Sequence, residues 1–214
     1  MKLIGIDLSG PTNTADTAVA QFSEDEGKLH LEQILAGASD ETIYSLVQQI
    51  ASDDALIVGL DAPLSYQPGG GDRPSDRALR KRITEAGMKS GSVMTPTMTR
   101  MAYLTLRGVA VARGIEQIGG SQTRLVEIHP GASFALHGAP IEAVRGFKRD
   151  TSARAVLIEW LEQNGFKGLE GIHDPDDHTI AALGTVLGAW RWYQGKSAWC
   201  EPAVSPVHPY DFAA

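Results

Sequence analysis

Apolar residues in this chain gather into short runs that close on acids. Leu3–Leu8 reads as a buried strand with Asp7 near its end, and "ALIVGLDAP" (Ala55–Pro63) repeats the pattern with Asp61. A continuous apolar run of this length is the mark of a strand covered on both faces. Asp16–Glu24 alternates in part. Lys28–Ala36 alternates more regularly, with Leu29 and Leu31 on one face and His30 and Glu32 on the other. The polar "SEDEG" between these two segments supplies a turn, with Gly27 available for positive φ. Three strands joined by short links predict an antiparallel meander.

Helical spacing follows. In "SDETIYSLVQQIAS", Ser39 or Asp40 caps a helix whose Ile43, Leu46, Val47 and Ile50 share a face. A crossover helix leading into the 55–63 strand implies that this strand runs parallel to a neighbour. Leu64–Pro74 is rich in breakers, and its three consecutive glycines lack the Lys-Ser/Thr that completes a P-loop. Ser75 to about Lys89 and Thr97 to about Arg113 read as helices. "TRLVEIHPG" (Thr123–Gly131) is a further apolar strand, carrying Glu127 near its end. Two more helices follow, in "SARAVLIEWLEQNG" and "DDHTIAALGTVLGAWRWYQG". The tail, with Pro202, Pro206 and Pro209, reads as irregular with at most one short edge strand. The order predicts an α/β fold: a mixed five-stranded sheet, meander plus parallel strands, flanked by helices. Length suits one domain over 1–214, with a basic helical insertion at about 72–117.

Composition narrows the class. The chain is 43% hydrophobic and 21% charged, as expected of a globular protein with a substantial core. No apolar run approaches the ~20 residues of a membrane helix, and the first residues lack a signal-like pattern. Cys200 is the only cysteine, which excludes an intrachain disulfide and a cysteine metal cluster and suits a reducing cytoplasm. Net charge is −7. Between Arg73 and Arg113, however, nine basic residues face two acids, so that segment carries +7 and the remainder −14. Such asymmetry either focuses a field on an anionic ligand or marks a solvated helical surface.

The acids carry the chemistry. Asp7, Asp61 and Glu127 fall at strand ends, where α/β sheets build their sites. Asp174 and Asp177, at i, i+3, open the last helix, where acids also serve as caps. Each acid alone is explained by turn or cap chemistry. Together, converging buried carboxylates require neutralisation. An all-oxygen set suits Mg²⁺ or Mn²⁺ rather than zinc. Two such ions ~4 Å apart can activate water and stabilise a leaving oxygen in phosphodiester cleavage.

The stretches "GIDLSG", "GLDAPLS", "RPSDRALRKR", "EIHPGASF" and "DPDDHTIAAL", in this order across roughly Lys2–Trp192, resemble the family known as domain of unknown function 429, described as predicted nucleases of the RNase H-like fold. The resemblance implies that fold and a metal-dependent nuclease activity. It makes Asp7 the first-strand acid, Asp61 the fourth-strand acid, and Asp177, with Asp174, the last-helix acids of resolvase-type members. Asp7, Asp61 and Asp177 become metal ligands, and Glu127 a further ligand or water positioner.

Arg73, Arg77 and Arg80 follow the Asp61 loop and suit phosphate gripping, or ordinary helix pairing such as Asp76 with Arg80. His129, two residues after Glu127, suits a substrate contact, a proton carrier or a structural role before Pro130. His173 and His178 flank the helix acids and suit tuning of the site, without a His-rich metal spacing. Trp190, Trp192 and Tyr193 suit core packing or a homo-oligomer interface. Nucleic acid is therefore the expected substrate, and no membrane is expected. Two alternatives stand beside the nuclease: a phosphoryl-transfer enzyme related to actin-like ATPases and sugar kinases, which "DLSGPTNT" faintly resembles, and a non-enzymatic binding protein that keeps the fold.

Overall fold

Strand β1 (Lys2–Asp7) lies at the centre of a mixed eight-stranded sheet in the computed structural model, which describes residues 1–214. On one side it pairs antiparallel with β2 (Ala18–Asp25), and β2 pairs antiparallel with β3 (Lys28–Ala36). On the other it runs parallel to β4 (Leu56–Asp61), and β4 runs parallel to β5 (Thr123–Ile128). This meander-plus-parallel core is the RNase H-like arrangement that the motifs imply. Three two-residue strands extend it: β6 (Phe166–Lys167) beside β3, then β8 (Phe212–Ala213) beside β5 and β7 (Cys200–Glu201) at the edge. The expected strand count of five is thus corrected to eight. Two residues carry no readable period, and such strands exist only because the chain returns to a sheet edge with free main-chain groups.

Helix α1 (Asp40–Ala51) crosses between β3 and β4, its N-terminus capped by Ser39 accepting from the Thr42 amide. Helices α2 (Pro74–Glu85) and α3 (Arg100–Gly119) lie between β4 and β5. After β5 come α4 (Pro130–Leu136), α5 (Ile141–Gly146), α6 (Thr151–Gln163) and α7 (Asp177–Tyr193). The short α4 and α5 are absent from the sequence reading. β5 ends at Ile128 rather than Gly131, because Pro130 takes the first position of α4 and His129 caps it.

Alternation along the strands separates two cores. Leu3, Ile57 and Val126 pack with α4, α6 and α7, while Ile4, Ile6, Val58, Leu60 and Leu125 pack with α1 and α3. Helix α7 lies on β1, β2 and β4. Glycines permit this approach: a Cβ on Gly59 would stand 2.9 Å from the Ala189 Cβ and the Thr185 carbonyl oxygen, and one on Gly5 would strike Ala182 and Val186. Since residues 182 and 186 sit over Gly5, the start of α7 is carried to the carboxyl end of β1. On the other face Arg107 of α3, 5% exposed, donates to the Ser9 carbonyl, the Thr17 hydroxyl and Asp40, each at 2.8 Å. That fixes the loop leaving Asp7. No helix is long and apolar enough to cross a membrane.

Candidate functional site

Asp7 and Asp61 are direct partners in the parallel β1–β4 register. Each is two residues beyond a glycine that touches α7, so alternation turns both carboxyls to the α7 face. They lie in a cleft of about 690 Å³ that also takes in Glu127, Asp177 and His178. Burial pushes the Asp7 carboxyl up, opposed by its contact with His178. Burial, and then the neighbouring Asp7 charge, push Asp61 well above the carboxylate range. The Nδ1 of His178 is 2.8 Å from Asp7 Oδ2. That hydrogen bond, reinforced by Asp7, Asp177 and Asp16 charge, raises the imidazole to about 9, so at neutral pH an imidazolium donates to Asp7.

Glu127 sits one residue out of phase with the aspartates. It pairs with Leu60 rather than Asp61, so its side chain belongs to the other row of the sheet. There Arg73 meets it with two bonds, 2.8 Å to Oε2 and 2.5 Å to Oε1. The same guanidinium grips Asp76 at 2.7 Å, and the Leu64 amide donates to Glu127 at 2.9 Å. All three charged side chains are 5% exposed or less. Bidentate pairing inside the protein satisfies the ions that burial strips of water. Glu127 and Arg73 therefore fix the loop that leaves Asp61.

The other anticipated residues are dispersed. Arg80 donates to Asp72 at 2.5 Å and to the Val93 carbonyl, and chiefly this pairing lowers Asp72 to about 2. Arg77 reaches only the Asp72 carbonyl, at the surface. His129 accepts from the Ala132 amide through Nδ1 and donates through Nε2 to the Ser92 carbonyl at 2.9 Å, while burial lowers its pKa. Both of its nitrogens are thereby occupied. Asp177 is the first residue of α7 and lines the cleft. Asp174 precedes the helix with φ of 49° and lines a separate depression with His173 and Asp176. The two do not share a helix face, because Asp176, not Asp174, caps α7 by accepting from Thr179 at 2.7 Å.

Two contributions escaped the sequence reading. His178 reads in the sequence as a flanking residue suited to tuning the site, but nothing in its spacing ties it to Asp7, 171 positions away. Arg145, Lys148 and Arg149 line the cleft, and Lys148 lies near enough to lower both aspartates. Three cations within five residues were the available signal.

The donor set fits a hard divalent cation in part. Two adjacent, partly buried carboxylates, both pushed up by burial and Asp61 also by the Asp7 charge, are relieved by a proton or a cation between them. Yet no three His, Cys, Asp or Glu side chains stand close enough together to hold a metal ion. Asp7 and Asp61 are the residues that fit one. Glu127 is already engaged by Arg73.

Comparison with known proteins places these features. The structure resembles that of T. thermophilus RuvC in complex with Holliday junction substrate, with 12% identity and a TM-score of 0.45, over 92% of this chain and 98% of that one. No curated protein matches the chain. The family model described as "Protein of unknown function (DUF429)" matches residues 5–205, and the chain belongs to that family.

Proposed function

We propose that this protein is a divalent-cation-dependent nuclease that hydrolyses phosphodiesters in the cleft above Asp7 and Asp61. The observation that carries this reading is the in-register pair of partly buried carboxylates at the carboxyl ends of adjacent parallel strands, with cationic side chains on the same cleft. The resemblance of the motifs to predicted nucleases points the same way.

In this reading Asp7 and Asp61 hold Mg²⁺ or Mn²⁺, and Asp177 is the further acid on the cleft. The bound cation supplies Lewis acidity and lowers the pKa of water toward neutrality. His178 favours the ionised form of Asp7 against the effect of burial and orients it through Oδ2. Such supporting bonds tune a ligand's basicity and direction. Glu127 is a positioning residue: with Arg73 it fixes Leu64 and so the turn after Asp61. His129 positions the Ser92 segment of the cleft wall. Among the arginines anticipated for phosphate binding, Arg77 remains free to meet solvent or substrate, while Arg73 and Arg80 hold acids of the protein itself.

The test is cleavage of single-stranded, duplex and branched DNA and RNA with Mn²⁺, with Asp7→Asn as the control. Cleavage that requires Mn²⁺ and disappears in the variant supports the assignment. Activity unchanged in Asp7→Asn overturns the site.

A further inference from the structure

The cleft lining is divided chemically. One stretch of chain, Lys89–Leu104, contributes Met94, Met101 and Leu104 beyond the exposed Lys89 at its start, and Met94 is 44% exposed. A separate stretch, Val144–Arg149, contributes the exposed Arg145, Lys148 and Arg149. Arg145 is paired with Glu142, while Lys148 and Arg149 form no ion pair with the protein. The aspartates lie deep, and the Asp7 side chain is only 15% exposed.

From this division we infer that the cleft takes an unpaired nucleic-acid strand rather than a duplex. The inference rests on the phosphodiesterase reading and specifies its substrate class. A duplex buries its base faces in the stack and offers a protein its phosphates and groove edges. Apolar walls then meet little beyond thymine methyls at the groove edge. An unpaired strand offers both kinds of surface: sites for single strands combine a cationic track with aromatic platforms for bases, and pockets that hold an unstacked base also use apolar side chains. Here Lys148 and Arg149 match the phosphates, and Met94, Met101 and Leu104 match the base faces. The recessed aspartates add a steric reason: one flexible strand can bend a phosphate toward them more readily than a stacked helix can.

Fluorescence anisotropy tests this with a labelled single strand of about 12 nucleotides. The same sequence as a duplex and a mononucleotide serve as competitors, in EDTA so that nothing is cleaved. The single strand should bind at least about tenfold more tightly than the duplex. Met94→Ala should weaken single-strand binding about fivefold or more, without changing its salt dependence. Lys148→Ala should weaken it and reduce the salt slope by about 0.7. Both side chains are exposed, so both variants should fold.

Equal or tighter duplex binding, no binding of either form, or no effect of the two substitutions overturns the inference. So does a mononucleotide that competes as well as the strand, because the cleft would then fit a small phosphate ester. Preference for the single strand without cleavage in Mn²⁺ would defeat the nuclease reading alone. Cleavage with a duplex preference would defeat this inference alone.

Discussion

His178 Nδ1 lies 2.8 Å from Asp7 Oδ2, so the first turn of the last helix is bonded to the last residue of the first strand. The contact turns Asp7 into half of an ion pair while leaving it on the cleft. If Asp7 holds the cation, its supporting partner controls how well it does so. His178→Ala should lower cleavage and Mn²⁺ affinity by about 10–100-fold with the fold retained. Calorimetric Mn²⁺ titration beside a cleavage assay checks this. Unaltered affinity and rate would remove His178 from the site.

The Asp7–Asp61 pair should be a stability cost that function retains. Without a cation, burial opposes ionisation of both carboxyls, and the Asp7 charge further opposes that of Asp61. Asp61→Asn should therefore raise stability in EDTA by about 0.5–2 kcal/mol while abolishing cleavage. Mn²⁺ should raise the melting temperature of the unsubstituted protein but not of the variant. Urea denaturation and thermal melts give both answers. A less stable variant would contradict the account of the pair.

Arg73 should matter far more to folding than the surface arginine four residues on. Removing its guanidinium leaves Glu127 and Asp76 buried without their common partner. Arg73→Ala should cost about 3–5 kcal/mol, against about 0.5 kcal/mol or less for Arg77→Ala. The shift in denaturation midpoint measures each. Equal effects would mean that the triad is not holding the Asp61 loop.

His137 should report on acid stability. Its Nε2 is buried without a hydrogen-bond partner, and burial lowers its pKa to about 4. The unfolded chain binds this proton at the ordinary value of 6.5, so between 6.5 and 4 it holds more proton than the folded one. Stability is then lost as pH falls through that window, and this loss is absent above it. His137→Leu should flatten the acid limb of the melting curve relative to the unsubstituted protein. Parallel curves for the two proteins from pH 7.5 to 4 would rule out the assignment.

Much of the architecture was legible from residue order. Continuous apolar runs marked β1, β4 and β5, and alternation marked β3 to its exact ends, Lys28–Ala36. The caps at Ser39 and the 3.6-residue period marked α1. These signals are local, arising from which face of an element meets water. The acids at the ends of β1 and β4 were legible for the same reason, since a carboxylate interrupts an apolar run.

What the sequence could not decide is which charged groups would meet. Asp7 and Asp61 converge because β1 and β4 pair in parallel with these two residues in register. Glu127, also near a strand end, goes instead to Arg73, because the β4–β5 register aligns it with Leu60. Asp174 and Asp177, three residues apart, separate because the helix begins between them. His178 reaches Asp7 only through close packing of α7 on Gly5 and Gly59. By itself the sequence determined the elements and the stock of acids and cations, since both depend on local pattern and residue type. Only the tertiary structure decided which pairs neutralise one another, because that depends on strand register and helix placement, with partners up to 171 positions apart.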